Sequence, residues 1–282
     1  MKTKSLKKSR TTTKIIIYIV CIFLAILSVI PFWLMFTNAT RSTIEIQNGI
    51  SLLPSRYLLN NLSILLNKGF NPVTGFINSL IIACGATGLA VYFSSLTAYA
   101  LMVYRFRARQ GLFTFIMCTM MIPAQVSSIG FYQFMYKIHW NNNFMPLILP
   151  TIAAPAMVFF MRQYLLAALP LEMVDAARID GCHEFGIFNR VVLPIMVPAI
   201  ATQAIFSFIA SWNNLFTPMI LLTSKDKYTM PIMVNLLRGD IYRTEYGSIY
   251  LGLSLTTIPL FLIYFLLSRY IIAGITLGGV KE

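Results

Sequence analysis

Six long apolar runs constrain this chain more than any other feature of its sequence. Each run has enough residues to cross a hydrocarbon layer of about 30 Å as an α-helix. A segment in lipid must satisfy its own backbone hydrogen bonds, so each run is predicted to be helical. The runs are 15–36, 77–103, 112–136, 144–162, 196–222 and 248–272. With 57% hydrophobic and 11% charged residues, the sequence predicts an all-α integral membrane protein with six transmembrane helices.

The basic residues predict how these helices are oriented. Placing the basic segment 1–14 in the cytoplasm puts fourteen of the 22 Lys and Arg residues on that side, in agreement with the positive-inside rule. No small-residue cleavage site follows the first run, so we interpret it as an uncleaved anchor. Both termini are then cytoplasmic, with a six-helix domain over 15–273 and a tail over 274–282. The net charge of +13 lies in short segments beside the apolar runs, which disfavours nucleic-acid binding.

Chemically active side chains are missing from the apolar runs. No Asp, Glu, Lys or Arg lies in the middle of any run, whereas ion-coupled transporters usually need such groups. The sequence contains no catalytic Ser/His/Asp set, no metal-ligand spacing and no phosphate-binding glycine loop. These features disfavour an ion-coupled secondary transporter and a membrane-embedded enzyme. We expect no metal or cofactor on this chain, and the energy source should lie in another subunit.

The second run carries a stripe of small residues. Ala86, Ala90, Ser94 and Ala98 recur every four residues, which places them on one face of a helix. Small side chains on one face allow a neighbouring helix to approach closely. A chance excess of Ala and Ser is the alternative. The stripe indicates packing and carries no functional prediction.

A charged insert, 163–195, separates the fourth and fifth runs. Pro170 suits the first turn of a helix, and Gly181 suits its end, because glycine adopts left-handed backbone angles at little cost. A second short helix is predicted to follow, with three apolar residues on one face: Phe185, Phe188 and Val192. The residues alone leave two interpretations open. The insert is either a docking surface for a cytosolic partner or an ordinary interfacial loop with solvated charges.

The insert resembles the EAA loop of permease subunits of ATP-binding-cassette importers. The family pattern is Glu-Ala-Ala, three residues, Gly, nine residues, then Ile-x-Leu-Pro. This chain reads Asp175-Ala-Ala177, three residues, Gly181, nine residues, then Val191-Val-Leu-Pro194. Asp replaces Glu and Val replaces Ile, so the carboxylate at 175 has a shorter reach. The resemblance implies that the ATPase is contacted through Glu172, Asp175, Ala176, Ala177, Arg178, Asp180, Gly181, Leu193 and Pro194.

The resemblance extends over almost the whole chain. Asn78-Ser79, Trp212-Asn-Asn214 and the ending 274–281 are similar to the maltose-permease-like carbohydrate importers, in particular to the shorter permease of the pair. It implies a bacterial cytoplasmic-membrane complex with a second homologous permease and an extracellular solute-binding protein. Two ATPase subunits would bind the ATP and Mg. The tail would contact these ATPases through Gly274, Gly278, Gly279 and Lys281.

The loop 223–247 is predicted to face outward and, by the same resemblance, to contact the binding protein. It combines charges with tyrosines, a composition typical of protein interfaces and equally of the aromatic belt at a membrane surface. The candidate contacts are Tyr228, Arg238, Tyr242 and Arg243.

Aromatic, amide and hydroxyl side chains in the fourth and fifth helices suit a sugar path, although aromatic residues in membrane helices are more often packing residues. The candidates are Phe159, Phe160, Ser207, Trp212, Asn213 and Asn214. The sequence therefore predicts a permease subunit that moves a sugar, in particular an oligosaccharide, by alternating access coupled to ATP hydrolysis. A permease for glycerol phosphate or another polyol ester is the alternative. Such a substrate favours a cationic group in the cavity, and no run carries one centrally.

Overall fold

The computed structural model describes residues 2–237 and 244–279, and every regular element within them is helical. The first eight helices are α1 Lys2–Asn38, α2 Thr43–Gln47, α3 Leu58–Asn67, α4 Pro72–Val103, α5 Arg109–Thr119, α6 Ala124–Lys137, α7 Met145–Ile148 and α8 Pro155–Ala168. The others are α9 Leu171–Ile179, α10 Glu184–Ile187, α11 Leu193–Ile195, α12 Val197–Trp212, α13 Phe216–Leu221, α14 Met230–Leu237 and α15 Tyr246–Gly279. Leu149–Ile152 and Lys225–Lys227 are 3₁₀ helices, and Phe188–Val192 is a π-helix. The all-α prediction is confirmed for the described residues.

Four stretches of the described chain are helical, long and apolar enough to cross a membrane. They are Thr13–Asn38, Pro72–Val103, Met145–Ala168 and Tyr246–Phe265. A fifth candidate is a bent pair, in which Glu184–Ile195 and Val197–Trp212 meet at 80°. The chain is therefore a membrane protein with four or five candidate spans in the described residues.

The predicted run 112–136 is divided between two shorter helices. α5 has 11 residues and α6 has 14, so neither half is long enough to span alone. Pro123 is the N-cap of α6. It has no backbone N–H and disfavours helical angles in the residue before it, which accounts for the break. The count of six transmembrane helices stays a prediction.

A second predicted run, 196–222, is also interrupted. α12 ends at Trp212 and α13 begins at Phe216. The Oδ1 of Asn214 accepts a hydrogen bond from the N–H of Thr217 at 3.4 Å. Asparagine side chains compete with helical hydrogen bonding in this way, and this competition favours a helix start here.

The chain forms two compact units, residues 1–70 with 234–257 and residues 71–233 with 258–282. In the second unit, α4 packs against α8 and α12. All four residues of the small-residue stripe on α4 are buried, and Ser94 and Ala98 have no exposed surface. The prediction of a packing face is confirmed.

Asn61 organises the first unit. Its Nδ2 donates to the carbonyl oxygens of Ala39 and Arg41, both at 2.9 Å. The backbone carbonyl oxygen of Asn61 accepts a hydrogen bond from the hydroxyl of Ser248 at 3.1 Å. Gly247 lies against the side-chain amide of Asn61 and the backbone of Arg41. A Cβ at position 247 would meet the carbonyl oxygen of Arg41 and lie 2.7 Å from the Oδ1 of Asn61. Glycine is therefore required by this close backbone approach.

Candidate functional site

The first helix of the insert, α9, ends in a cap that depends on glycine. Gly181 has φ +80°. Its N–H donates to the carbonyl oxygen of Arg178, and the N–H of Cys182 donates to that of Ala177, both at 3.0 Å. This pair of bonds is the Schellman arrangement, which needs a left-handed residue. The prediction that Gly181 ends the helix is confirmed.

The start of α9 differs slightly from the prediction. Pro170 is the N-cap, with φ −66° and ψ 129°, and does not lie in the first turn. Its extended ψ means that the helix begins one residue later, at Leu171. Glu172 lies in the first turn, where the partial positive charge of the helix end favours a carboxylate.

The two faces of α9 differ in their exposure. Val174 and Ala177 are buried in the core of the second unit, so Ala177, a predicted ATPase contact, faces its own chain. The other predicted contacts on this helix and its cap are exposed: Glu172, Asp175, Ala176, Arg178, Asp180 and Gly181. Four large apolar side chains of the insert are exposed beside them: Leu171, Met173, Ile179 and Phe185. Apolar side chains grouped on a surface in this way are typical of an interaction site.

A carboxylate hub joins the insert to the end of α4. Arg178 donates from Nε to Oε1 of Glu184 at 2.7 Å and from Nη2 to Oε2 at 3.2 Å. Its Nη1 also donates to Oδ1 of Asp175 at 3.0 Å. The hydroxyls of Tyr104 and Tyr99 donate to Oε2 of Glu184 at 2.5 and 3.2 Å. Glu184 thus accepts from four donors on two separate parts of the chain.

The charges in this hub are well defined. The bonds from Arg178, and then that from Tyr104, lower the pKa of Glu184 to about 2. The pKa of Arg178 is raised, chiefly by its bond to Glu184. Burial, and then the bond to Glu184, raise the pKa of the Tyr104 hydroxyl. At neutral pH the carboxylate is therefore ionised, and the guanidinium and hydroxyl groups keep the protons that they donate.

The second half of the insert is helical, but its predicted apolar face is only partly correct. Phe188 and Val192 have no exposed surface, whereas Phe185 is 59% exposed. Phe185 lies in α10, before the π-helix Phe188–Val192 begins. Leu193 and Pro194 lie in α11, so the 80° bend into α12 comes after them.

Asn142 holds the first part of the predicted outward loop. Its Oδ1 accepts from the N–H groups of Thr223 and Ser224 at 3.2 and 3.1 Å, and its Nδ2 donates to Oγ of Ser224 at 2.7 Å. Its carbonyl oxygen accepts from Nζ of Lys227 at 2.7 Å. Asn142 itself has φ +55°, a conformation that asparagine tolerates better than most residues.

Asn78 and Ser79 hold the second part of this loop. The Nδ2 of Asn78 donates to the carbonyl oxygens of Asp226 and Tyr228 at 2.8 and 3.0 Å. The hydroxyl of Ser79 accepts from the N–H of Met230 at 3.0 Å. Of the four candidate binding-protein contacts, Tyr228 is in this ordered loop. The other three lie outside the described residues: Arg238, Tyr242 and Arg243.

The candidate substrate-path residues have different environments. Trp212 is buried and stacks on Phe208 with ring centroids 5.6 Å apart, so it packs helices together. The remaining candidates keep exposed or partly exposed surface: Phe159, Phe160, Ser207, Asn213 and Asn214. Asn213 and Asn214 lie at the break between α12 and α13.

Arg162 is a feature that the sequence prediction missed. The run 144–162 placed it at a helix end, but α8 continues to Ala168, so Arg162 lies inside the candidate span Met145–Ala168. Its Cζ lies 4.3 Å from the centroid of the Phe113 ring, and its buried Nε has no hydrogen-bond partner among the described residues. The apolar residues after Arg162 were the signal that the helix continues.

The end of the chain is more helical than predicted. The last apolar run was expected to stop at 272, but α15 continues to Gly279. Gly274, Gly278 and Gly279 are therefore helical. Lys281, the fourth predicted ATPase contact of the tail, lies outside the described residues.

A helical membrane chain with a capped, exposed insert between two candidate spans has the form of a transporter subunit driven by a soluble partner. The chain belongs to the family of binding-protein-dependent transport system inner membrane components, whose model matches residues 90–277. Members of this family are permease subunits of ATP-binding-cassette importers and hydrolyse no ATP themselves. The chain is thus an inner-membrane permease subunit and not an enzyme. Such a subunit works with a partner permease, an ATPase and a binding protein.

Individual relatives match nearly the full length of the chain. The arabinooligosaccharides transport system permease protein AraQ of Halalkalibacterium halodurans is 37% identical, with 96% of this chain and 99% of the relative covered. The lactose transport system permease protein LacG of Rhizobium radiobacter is 32% identical, with 96% and 98% covered. A solved bacterial importer of the acidic polysaccharide alginate has the same fold, with a TM-score of 0.79, 21% identity, and 93% and 98% of the two chains covered.

Proposed function

We propose that this chain is one of two homologous permeases of a bacterial importer that takes up an oligosaccharide. The observation that carries the proposal is the full-length similarity to a permease named for arabinooligosaccharides, 37% identical over 96% of this chain. A similarity to the lactose permease of 32% supports a sugar as the substrate class. Arg162 is the only charged side chain in the candidate span Met145–Ala168, all of which the structure describes. A span with so few charges suits a neutral substrate.

The insert is proposed to couple transport to ATP hydrolysis. Its exposed side chains include carboxylates, such as Asp175, and large apolar groups, such as Ile179 at 87% exposure. A docked ATPase would cover both kinds of group. Closure of two ATPase subunits around ATP and Mg would move α9, and the permease pair would respond by alternating access, a population shift between inward- and outward-open states.

The proposed topology has six spans with both termini in the cytoplasm. α5 and α6 would together form the third span, broken at Pro123, because non-helical backbone is tolerated in a membrane where protein covers it. α12 and α13 would form the fifth span. The positive-inside distribution of Lys and Arg supports this orientation. The tail after 273 would lie against the ATPase dimer, and we propose no nucleic-acid partner.

The outward loop is proposed to receive the solute-binding protein. Asn142 and Asn78 fix the backbone of 223–228 through side-chain hydrogen bonds. An ordered loop loses less conformational freedom on docking than a flexible one. Lys225 and Asp226 are exposed on it and would contribute polar contacts at the rim of the interface.

Arg162 supports a second candidate, a permease for glycerol phosphate or another polyol ester. A guanidinium with a buried, unpartnered Nε inside a candidate span is suited to a phosphate oxygen. The competing explanation is that Arg162 packs helices together. Its Cζ lies 4.3 Å from the centroid of the Phe113 ring, and such a cation–π contact stabilises part of the charge.

One experiment separates the two candidates. The complex would be purified through a tag on this chain and reconstituted with its binding protein, and ATP hydrolysis would be measured with arabino-oligosaccharides and with glycerol phosphate. We expect stimulation by an oligosaccharide. Stimulation by glycerol phosphate alone, lost in Arg162→Met, would select the second candidate, and uptake driven by an ion gradient without ATP would overturn both.

A further inference from the structure

Glu184 lies between two parts of the chain that are distant in sequence. Arg178, six residues before it, belongs to α9, while Tyr99 and Tyr104 lie 85 and 80 residues away, at the end of α4. The side chains of Arg178, Tyr99 and Tyr104 all bind the Glu184 carboxylate. The carboxylate accepts charge-assisted hydrogen bonds from Arg178 on one side and hydroxyl hydrogen bonds from the two tyrosines on the other. These bonds fix distance and direction, whereas an apolar contact does not.

The α4 side of this hub is embedded in the protein core. Tyr99 is 2% exposed, and its ring lies 5.6 Å from that of the buried Phe188 and 5.8 Å from that of Tyr104. α4 in turn packs against α8 and α12. A displacement of Tyr99 therefore reaches the helices at the centre of the second unit.

The α9 side of the hub faces outward. The side chains of Arg178 and Glu184 are 36% and 44% exposed, and Asp175, which also binds Arg178, is 65% exposed. Ion pairs with this much exposure contribute little to folding stability. The hub is thus placed to transmit movement from an exposed surface to a buried helix, and its main contribution is to geometry rather than to stability.

We propose that Glu184 is a positioning residue that carries the movement of α9 to the end of α4 during transport. This proposal rests on the proposed function, in which α9 docks on the ATPase. Arg178 binds the carboxylate from the moving helix, and the two tyrosine hydroxyls bind it from the responding helix. When α9 moves, the carboxylate moves Tyr99 and Tyr104 with it, because the bonds on each side resist both sliding and separation.

The test measures uptake and ATP hydrolysis in the same proteoliposomes. Glu184→Gln keeps the shape of the side chain but removes the charge that Arg178 binds, and Tyr104→Phe removes only a hydroxyl. We expect both variants to assemble and to hydrolyse ATP, while the amount of substrate moved per ATP falls about fivefold, the effect of losing roughly one hydrogen bond from the moving state. Glu184→Gln combined with Tyr104→Phe should be no worse than Glu184→Gln alone, because both act through the same carboxylate.

Tyr136→Phe is the matched control, since the Tyr136 ring is 61% exposed on α6 and outside the hub. Its ratio of uptake to ATP hydrolysis should equal that of the wild type. A structural role would instead lower uptake, ATP hydrolysis and melting temperature together and leave the ratio unchanged, which would overturn the proposal. If Glu184→Gln fails to assemble, Tyr104→Phe tests the proposal by itself. An unchanged ratio of uptake to ATP hydrolysis in Tyr104→Phe would then overturn the proposal. If the wild-type complex itself shows no substrate-stimulated ATP hydrolysis, the proposed function fails rather than this inference.

Discussion

The backbone N–H of Cys182 donates to the carbonyl oxygen of Ala177 at 3.0 Å, and this bond closes the end of α9. It forms only because the residue between the helix and Cys182 has a left-handed backbone, with φ +80° at Gly181. Phe70 and Leu65 form the same bond at the end of α3, at 3.3 Å, across Gly69 with φ +81°. The two caps have the same geometry but lie in different units of the chain.

This pair of caps gives a matched prediction. Gly181→Ala and Gly69→Ala place a Cβ on a left-handed residue, with nothing within 4 Å of either position. Each should destabilise its unit by about 1–2 kcal/mol, which thermal melting of the complex would detect. Only Gly181→Ala should also reduce substrate-stimulated ATP hydrolysis, because only its cap orients the insert. Equal activity losses in the two variants would mean that the insert has no special role.

The carboxylate of Asp175 is predicted to contact the ATPase. It is 65% exposed and binds one guanidinium nitrogen of Arg178 at 3.0 Å, so its second oxygen remains available to a partner. Asp175→Ala should weaken association of the ATPase by about 1–3 kcal/mol, measured as the midpoint of ATPase binding to the permease pair. Asp226→Ala, which removes an exposed carboxylate from the outward loop, is the control. ATPase binding that depends on Asp226 and not on Asp175 would refute the assignment.

The close approach at Gly247 predicts a stability effect unrelated to coupling. A Cβ there would meet the carbonyl oxygen of Arg41 and the amide of Asn61, which is buried and hydrogen-bonded. Gly247→Ala should therefore destabilise the first unit by about 1–3 kcal/mol. Gly252→Ala, whose Cβ would meet side-chain methyl groups of Leu237 and Val234 at 3.3 Å and of Leu65 at 3.5 Å, should change the melting temperature much less. Similar melting temperatures for the two variants would show that the backbone approach is not tight.

The hydrogen bonds of Asn142 predict how the outward loop affects docking. Asn142→Gly keeps the φ of +55° accessible but removes three side-chain hydrogen bonds to 223–224. The loop should then lose order, and the concentration of binding protein needed for half-maximal ATP hydrolysis should rise about tenfold or more. Asn141→Gly, a change at the neighbouring residue, should leave that concentration within about twofold. No rise in Asn142→Gly would separate this loop from binding-protein docking.

Local features of the fold follow well from the sequence. The Gly181 cap and the small-residue stripe on α4 are determined within a few residues, by backbone conformation and by helical periodicity. The division of α5 from α6 also has a local signal in Pro123. Proline alone does not predict such a break, because prolines inside membrane helices are often tolerated.

Contacts between residues distant in sequence could not be predicted from local sequence patterns. No spacing rule joins Glu184 to Tyr104, 80 residues away, or Asn142 to Ser224, 82 residues away. Phe185 is exposed although Phe188 and Val192 are buried, and helical periodicity alone does not distinguish them. The position of Arg162 depends on where α8 ends, and helix boundaries are the least predictable part of a pattern-based assignment.

The most direct test of the central claim is crosslinking at two exposed positions on opposite sides of the proposed topology. In a variant with Cys21, Cys84, Cys118 and Cys182 replaced, a single cysteine would be placed at Ile179 on the insert or at Lys225 on the outward loop. With a short thiol crosslinker, we predict that Ile179→Cys joins the ATPase and Lys225→Cys joins the binding protein. The reverse pattern, or an insert position that joins neither in an assembled and active complex, would contradict the coupling role of the insert.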